Sequence, residues 1–164
     1  MLDTTTAPRP KAADYAPGSV FHSRFRTATL LELSEAAFRI EVDARRGASG
    51  GPLHRHLHQQ ERFIVHDGAL RVWTGLRGSR LVGAGQEIVV PAGRAHTFRV
   101  AGERARFTAE FTPPLRVADY FLELSDEPSL RELAALAARY PDEHFYLPVL
   151  PPRLQRAFLA RFRP

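Results

Sequence analysis

The sequence predicts an all-β barrel followed by short α-helices, and three observations lead to this fold class. Apolar and polar residues alternate through much of residues 19–112, as in strands that are buried on one face. Turn residues recur about every eight to twelve positions in that stretch, which is typical of sandwiches and barrels. After residue 112 the apolar spacing becomes helical. We therefore divide the chain into an N-terminal arm (1–18), a barrel (19–112) and a helical extension (113–164).

Residues 1–18 are rich in Ala, Pro and Thr and contain few large apolar residues, so we expect a flexible arm. Alternation then marks the strands. The inward positions of the predicted strands are Phe38, Ile40 and Val42; Phe63 and Val65; Leu70 and Val72; and Phe107, Ala109 and Phe111. The predicted turns are Gly47 to Pro52, Asp67-Gly68, Gly83 to Gly85, Pro91 to Gly93 and Ala101-Gly102.

Three amphipathic helices are predicted beyond Pro113-Pro114. The first carries Val117, Tyr120, Phe121 and Leu124 at helical spacing, and the second begins at a capping box formed by Ser129 and Glu132. The third follows Pro151-Pro152, with Leu154, Phe158 and Leu159 on one side. We expect these helices to pack on the barrel or on a dimer partner. A homodimer is expected because an unpaired sheet edge needs covering.

Composition and charge limit the class of protein. With 164 residues the chain fits one domain, and because it has no cysteine, any metal site must use His, Asp or Glu. No apolar run is long enough to span a membrane and the N-terminus lacks the layout of a signal peptide, so we expect a cytoplasmic protein without a membrane partner. The net charge of +5 comes almost wholly from arginines that are scattered among apolar patterns, so no nucleic-acid partner is expected.

The stretch GPLHRHLHQQERFIVHDG, residues 51–68, concentrates potential metal ligands. His54 and His56 are two apart, so on a strand they leave the same face with Cα atoms about 6.6 Å apart, and both can bind one ion at about 2.0–2.1 Å. Glu61 can open the next strand facing inward if the polar run 58–60 bends the chain. Two imidazoles and a carboxylate around open positions suit non-haem Fe(II), and also Zn, Mn or Ni.

A second stretch, GQEIVVPAGRAHTFRV, covers residues 85–100. Gly85 and Pro91 bracket an apolar strand, the tight turn Pro91-Ala92-Gly93 ends it, and His96 begins the next strand.

Together the two stretches resemble the paired motifs of the cupin superfamily, G-x5-H-x-H-x4-E-x6-G and G-x5-P-x-G-x2-H. The leading glycine of the first motif falls at Ala48, and the asparagine that often ends the second is Val100. The short spacing between Gly68 and Gly85 resembles compact, single-domain bacterial cupins of the quercetin dioxygenase type. The resemblance covers about residues 20–112 and implies a double-stranded β-helix, or jelly-roll barrel.

The resemblance also implies the metal site and its surroundings. One divalent transition metal, iron in the first place with zinc, nickel or manganese as alternatives, would be held by the residues that match the motif. These residues are His54, His56, Glu61 and His96. Phe63 and Phe98 flank the ligands and are expected to be walls of a substrate pocket. His58 has the parity of a ligand or base but falls in the predicted bend, which favours a position at the surface or rim.

Three functions follow from such a site. The first is a non-haem Fe(II) dioxygenase that acts on a small organic substrate. The second is a non-oxidative isomerase, cyclase or lyase in which the metal acts as a Lewis acid. In either case Glu61 is the expected catalytic base. The third, from a different class, is a barrel that binds a small molecule without catalysis.

Overall fold

The computed structural model describes residues 11–124, 128–141 and 151–162. These residues form seven strands and three α-helices. The strands are β1 (Val20–His22), β2 (Arg26–Leu33), β3 (Phe38–Arg45), β4 (Gln60–Thr74), β5 (Arg80–Gly83), β6 (Glu87–Val90) and β7 (His96–Thr112). The helices are α1 (Val117–Glu123), α2 (Leu130–Arg139) and α3 (Pro152–Leu159). Short 3-10 turns occur at Ala12–Asp14 and Ala160–Phe162.

The strands form one antiparallel sheet in the order β1-β2-β3-β7-β4-β5, and β6 also pairs with β4. The alternate apolar residues of the strands meet in one core. Its members include Leu30, Ile40, Val42, Phe63, Val65, Val72, Val82, Val90, Phe107 and Phe111. The predicted fold class, an all-β structure with short C-terminal helices, is confirmed.

Strands β4 and β7 are longer than the sequence predicted. The expected turns Asp67-Gly68 and Ala101-Gly102 lie within these strands, as irregularities in their pairing. The pairing of β4 with β7 runs from Gln60 to Thr74, and its register shifts on both sides of Asp67-Gly68. Gly68 has a φ of +68°, and a Cβ at this position would lie 2.2 Å from the carbonyl oxygen of Arg104. Only glycine permits this close approach of the two backbones. The Asp67-Gly68 pair therefore has the sequence of a turn, but the strand continues through it in the same direction.

Outward-facing arginines of the sheet pair with carboxylates on neighbouring strands. Arg39 Nε lies 2.5 Å from Glu110 Oε2, and Arg106 Nη1 lies 3.0 Å from Glu41 Oε2. Because such pairs are partly solvated, each contributes at most about 1 kcal/mol. These arginines therefore give the sheet a charged outer face, on the side opposite its apolar core.

Helix α1 lies on the barrel. Tyr120 is only 2% exposed, and the ring centroid of Phe121 lies 5.6 Å from that of Phe111. Helix α2 is tied to α1, because Tyr140 Oη donates a 2.6 Å hydrogen bond to Glu123 Oε1. The last turn of α1 is therefore held by α2.

The predicted capping box begins α2. Ser129 Oγ accepts a hydrogen bond from the backbone N–H of Glu132, whose carboxylate accepts one from the backbone N–H of Ser129. In α3, Leu159 is buried beside α2, but Leu154 and Phe158 are exposed, so the predicted common face is only partly covered by the described residues.

The N-terminal segment is described only from residue 11. Residues 1–10 of the expected arm, and His144, lie outside the described residues. The backbone N–H of Ala12 donates a 2.9 Å hydrogen bond to Asp119 Oδ1 of α1, and Tyr15 packs against the core. No helix in the described ranges is long and apolar enough to cross a membrane.

Replacing Gly68 with Ala should destabilise the protein strongly, because the new methyl group would meet the backbone of β7. Gly78 is the matched control: its φ is +77°, but nothing lies within 4 Å of the position of a Cβ. We expect Gly78→Ala to cost about 1 kcal/mol and Gly68→Ala at least about 3 kcal/mol in free energy of unfolding. Urea denaturation measures both, and equal losses would contradict a specific contact at Gly68.

Candidate metal centre

Two backbone hydrogen bonds bring the two motif segments together. The N–H of His96 donates to the carbonyl of His54 at 2.7 Å, and the N–H of His54 donates to the carbonyl of His96 at 3.1 Å. This isolated bridge places the first histidine of one motif directly opposite the histidine of the other. Residues about 40 apart in sequence thereby become neighbours in space.

His56 and Glu61 are positioned by the chain that follows this bridge. The N–H of Gly93, in the tight turn of the second motif, donates to the carbonyl of His56 at 2.6 Å. Neither histidine of the first motif belongs to a regular strand, because His54 forms only an isolated bridge and His56 follows it, whereas the sequence analysis placed both on one strand. Glu61 is the second residue of β4 and, as predicted, faces the interior.

All four predicted ligands meet at one buried place. Each offers one ligand atom, and these atoms lie within 4.8 Å of one another. His96 Nε2 lies 2.6 Å from Glu61 Oε2, and His56 Nε2 lies 3.4 Å from the same oxygen. The His54 ring centroid lies 4.5 Å from that of His96. Each of the four is at most 5% exposed, so the group is shielded from water.

Backbone carbonyls set the tautomers of two of the histidines. His54 Nδ1 donates to the carbonyl of Pro52 at 2.9 Å, and His96 Nδ1 donates to the carbonyl of Arg94 at 3.0 Å. Both carbonyls lie two residues before the histidine that they bind. A ring that donates through Nδ1 can bind a metal through Nε2, and such a second hydrogen bond orients the ring and raises its basicity.

The protonation states differ among the four groups. Burial, together with the neighbouring His96 and His56, holds the pKa of His54 well below its usual value, so this ring is neutral. Burial opposes ionisation of His96 and Glu61 as well. For Glu61 the hydrogen bonds from His56 and His96 outweigh it, and for His96 the hydrogen bond to Glu61 does so. The pKa of His96 is therefore raised and that of Glu61 is lowered well below its usual range. In the absence of a cation, His96 and Glu61 form an ion pair.

The donor set fits a divalent transition metal. Three imidazole nitrogens and one carboxylate oxygen suit Fe(II), Zn, Ni or Mn, and ligands on opposite sides of such an ion are about 4.2 Å apart. The ligand atoms of the four residues all lie within 4.8 Å of one another, and the shortest separation, 2.6 Å between His96 Nε2 and Glu61 Oε2, is a hydrogen bond that a bound cation would replace. A cation would also compensate the desolvation of Glu61, which His56 and His96 oppose in its absence. The cluster can therefore bind a metal, although its donors do not select one.

A cavity of about 340 Å³, here called the metal chamber, adjoins the cluster. Phe63 and Phe98 both line it, next to the four potential ligands. Their ring centroids are 5.2 Å apart, and Gly50 permits this packing, because a Cβ there would lie 2.8 Å from Phe98 Cδ1. The aromatic walls of the metal chamber are Phe63, Phe98, Phe107, Phe111, Tyr120 and Phe121.

Gln59 is a positioning residue that the sequence analysis treated only as part of a polar bend. It is 1% exposed, and its Nε2 donates to the carbonyls of Pro113 and Pro114 at 2.8 and 2.9 Å. One side chain between the ligands His56 and Glu61 thus holds the corner from which α1 departs. No periodic pattern distinguishes Gln59 from its exposed neighbour Gln60.

Two other histidines of the motif region lie apart from the cluster. His58 is exposed, which agrees with the expected surface or rim position. His66 is also exposed and makes a 2.8 Å hydrogen bond with Thr108 Oγ1 on the outer face of the sheet. His58 has the same parity as His54 and His56, so spacing alone did not distinguish it from the ligands. The bend in the chain before Glu61 breaks the alternation and leaves His58 at the surface.

Comparisons with known proteins agree with this fold and site. Residues 41–109 match the family model of the cupin domain, which spans the chain from β3 to β7 and includes all four potential ligands. No curated protein matches the chain significantly.

Several solved structures share the fold. KdgF from Halomonas sp. is 20% identical with a TM-score of 0.53, over 58% of this chain and 86% of that protein. A Klebsiella pneumoniae protein with a double-stranded β-helix domain is 18% identical with a TM-score of 0.51, over 65% and 90% of the two chains. The cupin domain of Cnp3 from Schizosaccharomyces pombe is 17% identical with a TM-score of 0.50, over 57% and 67%. The matched residues 41–109 therefore form a cupin domain, and the chain shares the fold of these solved structures.

Proposed function

We propose that this protein is a metal-dependent oxygenase of the non-haem Fe(II) type, which acts on a small and largely apolar organic substrate. One observation carries the proposal: a buried cluster of three imidazoles and a carboxylate lies in the wall of an aromatic chamber. The cluster supplies the ligands for a metal, and the chamber supplies room for a substrate beside it.

The walls of the metal chamber limit the substrate class. Apart from the four potential ligands they are mostly apolar, with five phenylalanines and aliphatic side chains, and Arg26 and Ser49 are their other polar members. A buried hydroxyl without a hydrogen-bond partner costs roughly 2–7 kcal/mol depending on the reference state. A polyol would leave many such hydroxyls unpaired, whereas an aromatic or alkyl compound gains by packing on the rings. We therefore favour a substrate with an apolar body and one or two oxygen atoms that meet the cluster.

A bound iron would supply the redox chemistry that lets O2 react with an electron-rich substrate. The residues of the chain do the remaining work. The phenylalanines give the chamber apolar walls on which a substrate can pack, and the carbonyls of Pro52 and Arg94 orient two of the imidazoles. Glu61 is the carboxylate that lines the chamber, so its position allows it to accept a proton from a substrate hydroxyl.

Metal binding is tested by replacing His96 with Ala, with His58→Ala as the matched control. Loss of a group that merely orients a ligand costs about 10–100-fold in metal affinity, so loss of His96 should cost more than about 100-fold. His58→Ala should retain the metal of the wild type, because His58 is exposed. Metal content by inductively coupled plasma mass spectrometry measures both, and one metal per chain in His96→Ala would refute the site.

The reaction class is tested with protein loaded anaerobically with Fe(II) and with Zn(II). We expect O2 consumption, measured with an oxygen electrode, only for the iron form with a panel of flavonols, β-diketones and aromatic acids. Turnover of the zinc or nickel form without O2 would instead support a non-oxidative isomerase, cyclase or lyase. Tightly bound metal without turnover under either condition would support a small-molecule-binding protein.

The role of Glu61 is tested by Glu61→Gln, which keeps the shape of the side chain but removes its charge and its ability to accept a proton. We expect this variant to retain more metal than His96→Ala, because an amide oxygen can still coordinate. Turnover should fall by at least about 100-fold, the usual contribution of a general base. Metal content and initial rates are measured on the same sample, and undiminished turnover would remove Glu61 from the mechanism.

A further inference from the structure

A second cavity, of about 300 Å³, lies between the N-terminal strands and helix α1. It is called the second chamber here. Most of its walls are apolar. They include Phe21, Ala28, Leu30, Phe38, Ala118 and Leu122. Its polar side chains, His22, Ser23 and Arg26, come from one short segment, residues 22–26, so apolar matter is the favoured occupant of the rest of the cavity.

The second chamber adjoins the metal chamber between β3 and α1. Ile40 and Val42 line both cavities from β3, and Phe121 and Leu124 line both from the end of α1. Because the two cavities share lining residues from β3 and from the end of α1, they are neighbours along these residues. An elongated molecule in the metal chamber can therefore extend toward the second chamber.

Phe121 marks the place where the two chambers meet. Its ring centroid lies 6.1 Å from that of Phe38, which lines the second chamber but not the metal chamber. On the other side it lies 5.6 Å from that of Phe111, which lines the metal chamber but not the second. Phe121 is only partly buried. Phe121 thus stands between the second chamber and the ligand cluster, together with the other residues that line both cavities: Arg26, Ile40, Val42 and Leu124.

Within the described residues, the candidate metal cluster lies in the metal chamber, and the second chamber has no comparable group of ligands. The second chamber can therefore contribute affinity and selectivity but not metal chemistry. Its apolar walls suit the unreactive part of a ligand whose oxygen-bearing head meets the cluster.

We propose that the ligand of this protein extends past Phe121 into the second chamber. Its natural substrate then consists of an oxygen-bearing head, which meets the four-residue cluster, and an alkyl or aryl arm of several carbons. The position of the head rests on the proposed function, whereas the arm rests on the second chamber alone.

Hydroxamic acids test the two parts separately, because their head binds many divalent metals and their tail length can be varied. Acetohydroxamate and octanohydroxamate are titrated into the Zn(II)-loaded protein by isothermal calorimetry. We expect octanohydroxamate to bind at least about 50-fold tighter, since each methylene taken from water into an apolar site contributes to affinity.

Two substitutions fill the second chamber from opposite walls. Ala28→Phe acts from β2 and Ala118→Leu from α1, and neither residue lines the metal chamber. Ala84→Phe is the matched control, because Ala84 is exposed and lines neither cavity. We expect the filled variants to lose most of the advantage of the long tail while acetohydroxamate binds as before. The control should behave as the wild type does.

The outcomes distinguish the two proposals. Equal affinities for the long and short hydroxamates, as expected if the second chamber is filled by another part of the chain, would overturn the extended ligand. A long-tail advantage that survives in whichever filled variants fold would overturn it as well. Absence of acetohydroxamate binding to the wild type would instead locate the failure in the metal site. It would overturn the proposed function and the position of the head, whereas the arm is decided by the comparison of tail lengths.

Discussion

The reciprocal backbone hydrogen bonds between His54 and His96 are the constraint on which the site depends. They are made by main-chain atoms, so they fix the separation of the two ligand-bearing segments whatever the side chains do. The bond from Gly93 to the carbonyl of His56 adds a second tie between the same segments. With the backbones joined, side chains from distant parts of the chain have one common place to meet, and Glu61 on the adjacent strand completes it.

This arrangement concentrates groups that a protein interior otherwise excludes. Three imidazoles and a carboxylate are withdrawn from water, and the desolvation of the charged members is costly unless an opposite charge is near. In the metal-free protein His96 supplies that charge to Glu61, while His54 stays neutral. A divalent cation would take over the role of the imidazolium and engage the remaining rings. The same groups therefore explain both how the apoprotein tolerates the site and why the site favours a cation.

The residues around the cluster form the metal chamber. Gln59 lies between two of the potential ligands and holds the Pro113-Pro114 corner, so the segment that carries the ligands also determines where α1 starts. Helix α1 then places Tyr120 and Phe121 over the cavity. The position of this cover is thus coupled to the site by a buried side chain, and its far end is held by the contact of Tyr140 with Glu123.

The sequence by itself determined the local features of this protein. Alternation predicted which residues of β3, β4 and β7 face inward, and the capping box at Ser129 predicted the start of α2, because such patterns depend on neighbours along the chain. The spacing of His54, His56, Glu61 and His96 identified the potential ligands. Only the tertiary structure decided what depends on contacts between distant residues. Gly68 takes part in a bulge and not a turn because the backbone of Arg104 lies against it, and Gln59 is an anchor because a distant corner passes within reach. Whether Tyr120 is exposed or buried, and where a second chamber adjoins the first, were likewise settled by packing that no local pattern encodes.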